Sequence, residues 1–239
     1  MQAIILNSGV GSRMGEFTKR SPKCMLEISP GETILSRQID ALLRHNIKSV
    51  SVTTGGFHDA IRHYLEVRYR KFGLEFSYIH NPFYRETNYI YSMHLLQGAI
   101  ESDVILLHGD LVFDAEVFQG FMQAGGENRV LVSGADVFPE KDFKAELTAG
   151  RISRIAVDID RNCKFSLPLY RLSREAMSVW MDQIAAYVLS GRTKVYAEDA
   201  LNDRLDRIEL VPYFFNAGLC QEVDTPEDLQ AIQAHFAKI

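Results

Sequence analysis

The sequence has few cysteines and no long apolar segment. Its three cysteines, Cys24, Cys163 and Cys220, are odd in number and far apart, and no Cys-x-x-Cys pair occurs. This pattern gives no disulfide framework and no structural zinc site, and it favours a reducing, cytoplasmic location. The apolar start at 3–6 is shorter than the roughly 7–15 residues of a signal-peptide core. No apolar run approaches the ~20 residues of a membrane span, so we expect neither signal peptide nor membrane anchor.

Tracts rich in glycine or proline and blocks of like charge are absent as well. The 239 residues are 46% hydrophobic and 24% charged, the composition of an average soluble globular protein, which argues against disordered and fibrous classes. The formal net charge of −5 argues against nucleic acid as the main partner. We also find no linker and no internal repeat, and we predict one domain over residues 1–239.

Hydrophobic patterning in the first half predicts strands that alternate with helices. Short apolar or β-branched runs indicate strands, and apolar residues at helical spacing indicate helices. The predicted strands are 3–6, 50–54, 74–79 and 103–107, and the predicted helices are 33–45, 59–69 and 88–100. This alternation is typical of a mostly parallel sheet covered by helices.

The second half has a different pattern. Strands are predicted at 130–137, 151–157 and 163–170 without helices between them, then a helix at 174–190, a strand at 208–215 and a helix from 225. Consecutive strands without crossover helices indicate an antiparallel insertion. We therefore predict an α/β protein with a Rossmann-like mixed, mostly parallel sheet, flanking helices and a small antiparallel lobe.

A glycine-rich loop follows directly on the first predicted strand. Residues 6–14 read Leu-Asn-Ser-Gly-Val-Gly-Ser-Arg-Met. Backbone N–H groups of such a loop approach phosphate oxygens closely, and ligands of open α/β sheets bind at the carboxyl ends of strands. The loop lacks the third glycine of a dinucleotide fingerprint and the Gly-Lys-Ser/Thr of a P-loop. Because Gly-x-Gly alone also fits an ordinary βα turn, the interpretation depends on the residues around it.

Two cations accompany this loop, Arg13 within it and Lys23 ten residues later. Residues 1–23 contain four basic side chains and one acidic one, a local charge of +3, so the remaining 216 residues carry −8. A cationic loop in an acidic chain suits a triphosphate, whose negative charge must be screened during reaction.

Two aspartates are candidates for a metal ion. Asp110 ends a buried strand, and Asp224 precedes Thr225 and Pro226. A carboxylate at a strand end can hold Mg²⁺ together with phosphate oxygens. Turn formation by Asp110 and an ordinary helix start at Asp224 are the simpler alternatives.

Taken together, these segments resemble the nucleotidyltransferase superfamily that makes nucleotide-sugars and CDP-alcohols. The resemblance rests on Leu-x-x-Gly-x-Gly-Ser-Arg-Met, on Gly-Asp after a central strand and on Asp-Thr-Pro-x-Asp-Leu near the C-terminus, and it runs from Ala3 to Leu229. Asn7 and Ser8 replace the usual Ala-Ala, at positions that approach the base, and Glu16 replaces a common proline.

The resemblance implies a site for nucleotidyl transfer. Asp110 and Asp224 would bind Mg²⁺ jointly, Lys23 and Arg13 would be catalytic, and the loop residues would bind the nucleotide. These loop residues are Leu6, Asn7, Ser8, Gly9, Gly11, Ser12 and Arg13. Asn88 and Ser92, four residues apart on one helix face, belong to a segment similar to one near the nucleotide in phosphocholine and phosphonate cytidylyltransferases. A helix N-cap is the alternative role for Asn88.

The second half should bind the acceptor. Lys144, in a predicted loop, is a candidate for a phosphate or phosphonate, although it also fits a solvated lysine. Glu198 belongs to an acidic segment similar to one that faces the cationic end of the acceptor in phosphocholine-type enzymes, or it is a first-turn helix carboxylate. Tyr170 and Tyr196 could add cation–π contacts to an ammonium group.

These observations predict a Mg²⁺-dependent cytidylyltransferase that joins CMP from CTP to a small phosphate or phosphonate, of the phosphocholine or 2-aminoethylphosphonate type. Residues 1–125 would mainly bind nucleotide, and residues 126–239 would bind the acceptor and supply Asp224. A homodimer is compatible with the sequence. The alternatives are a sugar-1-phosphate nucleotidyltransferase, a guanylyl- or adenylyltransferase and a non-catalytic nucleotide-binding module.

Overall fold

The computed structural model describes residues 1–135 and 142–238. The strands are β1 (Gln2–Asn7), β2 (Glu27–Ser29), β3 (Glu32–Thr33), β4 (Ser49–Thr54), β5 (Glu75–His80), β6 (Val104–His108), β7 (Leu111–Phe113), β8 (Arg129–Ser133), β9 (Lys144–Thr148), β10 (Arg151–Ala156), β11 (Cys163–Leu172), β12 (Val211–Phe215) and β13 (Cys220–Glu222). The helices are α1 (Ile34–Arg44), α2 (His58–Tyr69), α3 (Tyr89–His94), α4 (Ala115–Gln123), α5 (Arg174–Leu189), α6 (Ala197–Asn202) and α7 (Pro226–Phe236). Within these ranges no helix is long and apolar enough to cross a bilayer.

The main sheet is mixed and confirms the predicted fold class. Its strand order is β10-β9-β11-β6-β1-β4-β5, with β8 also paired to β11 and β12 paired to β8. Strand β1 runs parallel to β4 and β6, and β4 runs parallel to β5, whereas β11 is antiparallel to β6, β8 and β9. Small antiparallel pairs, β13 with β7 and β2 with β3, complete the architecture. Because the parallel strands β1 and β6 are neighbours, their carboxyl ends meet at one edge.

Helices cover both faces of the sheet, because alternate residues of its strands face opposite sides. In β1, Ile4 and Leu6 pack with α3 and α5, whereas Ala3 and Ile5 pack with α1, α2 and α4. A side chain at the end of β1 therefore points to one face and its successor to the other.

Several predicted boundaries need correction. The helix expected at 88–100 is only one and a half turns long, because the chain leaves the helix after His94 and turns through Gly98 at φ +89°. The strand expected at 208–215 begins at Val211. The strand expected at 130–137 covers Arg129–Ser133, and its last two predicted residues lie outside the described residues.

Some elements have no counterpart in the predictions. Helix α4 contains a mid-helix glycine, which weakens helical propensity, and a Cβ on Gly120 would lie 2.3 Å from the Tyr213 hydroxyl oxygen. Packing against Tyr213 of β12 thus requires glycine at position 120, and this glycine weakens the helical signal of α4 in the sequence. Strands β7, β9 and β13 and helix α6 have three to six residues each, too few for a clear hydrophobic period. Strand β7 also pairs with β13, which is distant in the sequence.

Trp180 joins the two helices that support the second half of the sheet. It is completely buried in α5, contacts the Tyr170 ring with centroids 5.5 Å apart, and donates from Nε1 to the carbonyl oxygen of Ala197 at 2.9 Å. This bond fixes the first residue of α6 and therefore the position of the next residue, Glu198.

Replacing this anchor should destabilise the fold. We expect Trp180→Ala to lower the free energy of unfolding by about 3–5 kcal/mol, because it leaves a cavity and an unpaired carbonyl. Urea denaturation followed by circular dichroism measures the change. Ser178→Ala, at an exposed position of the same helix, should change it by less than about 0.5 kcal/mol. A Trp180→Ala loss no larger than that of the control would contradict the anchoring role.

Candidate active site

The glycine-rich loop lies at the carboxyl edge of the parallel strands, directly after β1. Gly11 has φ +65°, a left-handed conformation that glycine adopts at little cost, and a 3-10 segment follows at Ser12–Thr18. The Thr18 hydroxyl donates to the Gly11 carbonyl oxygen at 2.8 Å. The loop is therefore closed on itself by a side chain seven residues away.

A compact ion-pair cluster forms beside this loop. Lys23 Nζ donates to Asp110 Oδ2 and to Asp224 Oδ1, each at 2.8 Å. A terminal nitrogen of Arg13 lies 2.9 Å from Asp224 Oδ2. The structure thus brings together the two catalytic and two metal-binding candidates, which are up to 211 positions apart in the sequence (224 − 13).

Local structure places Asp224 in this cluster. The Thr225 and Asp228 side chains form a capping box at the start of α7, with Pro226 at the first helical position. The Asp224 backbone N–H also donates to Asp228 Oδ2 at 3.0 Å. One residue earlier, the Val223 N–H donates to the Asp110 carbonyl oxygen at 2.9 Å, which joins the two aspartate segments.

The charges of the cluster hold one another ionised. Burial lowers the pKa of Lys23, but the adjacent Asp110 and Asp224 outweigh it, and the pKa lies above its ordinary value. Burial raises the pKa of Asp110, but Lys23 and His108 outweigh it, and the pKa lies below its ordinary value. The cluster is therefore a stable arrangement of a cation between two anions at neutral pH.

His108 and Glu222 are site residues that were not predicted. His108 Nδ1 lies 3.3 Å from Glu222 Oε1, and these two residues with Asp110 offer three potential metal-ligand atoms within 4.8 Å of one another. Burial, together with the nearby Asp110, raises the pKa of Glu222 to about 7. The sequence does contain a signal, because His108-x-Asp110 and Glu222-x-Asp224 place both pairs at the two-residue spacing of one strand face.

A hydrogen-bonded network ties the loop to α3. The Ser8 and Ser92 hydroxyl oxygens are 2.6 Å apart, and Asn81 Nδ2 donates to Ser92 Oγ at 2.9 Å. Asn88 is the N-cap of α3, and its side chain accepts from the Tyr89 N–H at 2.7 Å. The predicted nucleotide residues Ser8, Asn88 and Ser92 are therefore held in one framework.

Two cavities are lined by residues 6–8 at the start of the loop. The larger of the two, about 520 Å³, is lined by residues that include Leu6, Ser8, Gly9, Asn88, His108 and Asp110. The smaller, about 80 Å³, is lined by residues that include Asn7, Gly9, Gly11, Lys23 and Asp110. Ser12 lines a further depression, which shares Gly9 and Val10 with the larger of these two cavities. The neighbouring residues Asn7 and Ser8 thus serve different cavities.

The predicted acceptor residues lie deeper than expected. Glu198 is 1% exposed, and its carboxylate accepts hydrogen bonds from the hydroxyls of Tyr170, at 2.9 Å, and Tyr89. Lys144 is the first residue of β9 rather than part of a loop, and its Nζ donates to the carbonyl oxygens of Asp142 and Val157.

Tyr196 is the more exposed of the acceptor tyrosines. Its side chain is 38% exposed, and its ring lies 6.1 Å from that of Tyr89 and 5.0 Å from that of Phe143 between centroids. Tyr89 lines the larger cavity, whereas Lys144, Tyr170, Tyr196 and Glu198 are not among its lining residues. Glu198 and Tyr196 contact Tyr89, and Tyr170 bonds to Glu198, so these three form a layer behind Tyr89.

The parallel sheet edge, the closed glycine loop and the lysine–carboxylate cluster together define a nucleotidyltransferase. The chain belongs to the MobA-like NTP transferase domain family, whose model matches residues 3–191. The chain is therefore a member of a nucleotidyltransferase family.

Individual relatives agree with the family. The chain is 30% identical over 133 residues to the CMP-5'-(3-aminopropyl)phosphonate synthase of Streptomyces rubellomurinus, and the aligned segment covers 56% of this chain and 21% of that protein. It is 30% identical over 138 residues to the CTP:phosphoglutamine cytidylyltransferase of Campylobacter jejuni, and the aligned segment covers 55% of this chain and 52% of that protein. The chain thus spans between a fifth and about half of the length of these curated relatives.

The fold also matches a solved structure. The inositol-1-phosphate CTP transferase of T. maritima superposes with a TM-score of 0.78 at 20% identity, over 98% of this chain and 94% of that one. At this identity the likeness establishes the fold.

The ion-pair cluster predicts a specific pH dependence of stability. Because the folded pKa of Asp110 is depressed, its contribution is present above its unfolded pKa of about 3.9 and is lost as the pH falls through the folded pKa. We expect Asp110→Asn to lower the free energy of unfolding at pH 7 by about 1.5–3 kcal/mol, the range for hydrogen bonds to charged groups. Urea titrations without added metal, at pH 7 and pH 3, should show the difference shrinking at the lower pH. A difference that is equal at both values would contradict the assignment.

Proposed function

We propose that the chain is a cytidylyltransferase that joins CMP from CTP to a small phosphate or phosphonate and releases pyrophosphate. The single observation that carries the proposal is the Lys23–Asp110–Asp224 cluster beside the glycine loop, since a lysine and two carboxylates are the groups that a triphosphate and its metal ion require. The two curated relatives, whose names contain CMP or CTP and a phosphonate or phosphorylated acceptor, support the choice of nucleotide and acceptor class.

In the proposed reaction, an oxygen of the acceptor attacks the α-phosphorus of CTP. One P–O bond forms to the acceptor while the bond between the α-phosphorus and the bridging oxygen breaks, and pyrophosphate leaves with that bond's electron pair. The protein contributes little covalent chemistry to this step. It accelerates the transfer by positioning the reactants and by stabilising the charge of the transition state.

Each loop residue has a role in this positioning. Backbone N–H groups of Gly9, Gly11 and Ser12 bind phosphate oxygens. Arg13 stabilises the departing pyrophosphate, and Lys23 lies between the α-phosphate and the acceptor, where negative charge accumulates.

The aspartates fit a magnesium ion. Oxygens of Asp110 and Asp224 converge on one cation, the Lys23 ammonium, and carboxylate oxygens are the ligands that this hard cation prefers. We assign these two rather than the set of His108, Asp110 and Glu222, because Mg²⁺ prefers carboxylate oxygens to an imidazole nitrogen. When bound, Mg²⁺ would screen the charges of the nucleotide and the acceptor.

The chain divides functionally, with residues 1–125 mainly binding nucleotide and 126–239 binding the acceptor. Tyr89 lines the larger cavity, and behind it lie Glu198, Tyr196 and Tyr170. The negative charge of Glu198 would therefore attract a cationic acceptor from behind the Tyr89 ring. Lys144 fixes the edge of the same lobe. We place the reaction in the cytoplasm, with which the free thiols of Cys24, Cys163 and Cys220 are compatible.

A panel assay tests both the nucleotide and the acceptor. Pyrophosphate release is measured with each of the four NTPs and Mg²⁺ against phosphocholine, 2-aminoethylphosphonate, 3-aminopropylphosphonate, inositol 1-phosphate, phosphoglutamine and glucose 1-phosphate. We expect turnover with CTP and a phosphate or phosphonate. Release only with glucose 1-phosphate would select the sugar-nucleotide alternative, and nucleotide binding without any release would select the non-catalytic module.

Lys23→Ala tests the catalytic assignment. We expect kcat/KM to fall by about 10²–10³-fold, the usual loss when a group that stabilises transition-state charge is removed. Lys19→Ala is the matched control, because this lysine is exposed in the same loop and pairs only with Glu16 among the described residues. It should stay within about twofold of the wild type. Unchanged release by Lys23→Ala would refute the mechanism.

A further inference from the structure

Asn7, the last residue of β1, has two properties that alanine, the usual residue at this position in the superfamily, lacks. Its side chain fills space beside Gly109, and its amide nitrogen is buried without a partner among the described residues. Its main chain is held firmly, because its N–H donates to Thr53 Oγ1 at 3.1 Å and the residue is paired with Thr54 across the sheet.

Strand alternation directs this side chain to the smaller cavity. Ser8, the next residue, points to the opposite face and bonds to Ser92 beside the larger cavity. Asn7 instead lines the cavity of about 80 Å³ that also contains Lys23 and Asp110. A group bound in this cavity lies beside the Lys23 ammonium and the Asp110 carboxylate.

The carboxamide is fixed in place by a close contact. A Cβ on Gly109 would lie 1.7 Å from Asn7 Oδ1, so only glycine fits there and the oxygen rests against the main chain before Asp110. With the oxygen against Gly109, the two N–H bonds of the amide are directed elsewhere.

The amide nitrogen has no acceptor within residues 1–135 and 142–238, although it is shielded from solvent. A buried donor without a partner costs free energy, and such groups are rare in folded proteins. Alanine at this position would avoid the cost. The unpaired donor therefore marks a place where a ligand atom completes the hydrogen bond.

From this geometry we infer that Asn7 Nδ2 donates a hydrogen bond to a non-bridging oxygen of the α-phosphate, which makes Asn7 a further catalytic residue of this chain. The inference rests on the proposed function, which places the α-phosphate beside Lys23. Lys23 supplies charge to that group, whereas Asn7 supplies a neutral, directed donor that leaves the charge balance of the two aspartates unchanged.

Two substitutions separate a donor from a merely structural contact. Asn7→Leu keeps the branched shape and the neutral charge of the side chain but replaces the amide oxygen and nitrogen by methyl groups. Asn7→Ala, the usual residue of the superfamily, removes both the contact and the donor. A donor role predicts that Asn7→Leu loses as much phosphate affinity as Asn7→Ala, while a structural role predicts that Asn7→Leu resembles the wild type.

The readout is the affinity for CMP relative to cytidine, measured by titration calorimetry, with thermal melting to verify folding. The ratio isolates the phosphate contribution, and we expect it to fall about tenfold in both variants. Ratios within twofold of wild type in both variants, or a wild-type ratio in Asn7→Leu alone, would overturn the inference. If the wild-type protein binds CMP but releases no pyrophosphate from CTP, the proposed function is refuted. The comparison of the Asn7 variants would still decide whether Asn7 binds the phosphate.

Discussion

The candidate site depends on one electrostatic constraint, the need to keep two carboxylates close together at the edge of a sheet. Asp110 comes from the end of β6 and Asp224 from the turn before α7, and Lys23 bonds to both at 2.8 Å. Without a cation between them, the two charges would repel in a partly buried setting. The pairing of β13 with β7 and the capping box of α7 are the structural means by which the chain holds them there.

The parts of the site that local sequence determines could be predicted. Lys23, Asp110 and Asp224 are candidates because the short motifs around them resemble those of the nucleotidyltransferase superfamily. Local patterns alone leave a turn and an ordinary helix start as alternatives for the two aspartates. The fold class followed from the alternation of strands and helices. Each of these features is specified within about ten residues, so no knowledge of distant contacts was needed.

The rest depends on contacts between distant residues. The burial of Glu198 behind Tyr89 and Tyr170 joins segments up to 109 positions apart, and the pairing of His108 with Glu222 spans 114. Helix α3 ends at His94, before the end of its apolar pattern, because the chain turns there. Lys144 lies in β9, which pairs with β10 across a two-residue turn and with β11 further along the chain. The sequence of β9, Lys-Ala-Glu-Leu-Thr, contains one β-branched residue, so intrinsic propensity does not identify it as a strand.

The position of a bound divalent ion distinguishes a metal site at the two aspartates from one elsewhere. Mn²⁺ added together with a non-hydrolysable CTP analogue broadens the amide NMR signals of residues near the metal. We expect the strongest broadening at Asp110, Asp224 and the glycine loop from Gly9 to Ser12, and we expect the double substitution Asp110→Asn with Asp224→Asn to abolish it. Broadening centred on another part of the sheet, or unaffected by the double substitution, would show that the two aspartates do not hold the metal ion.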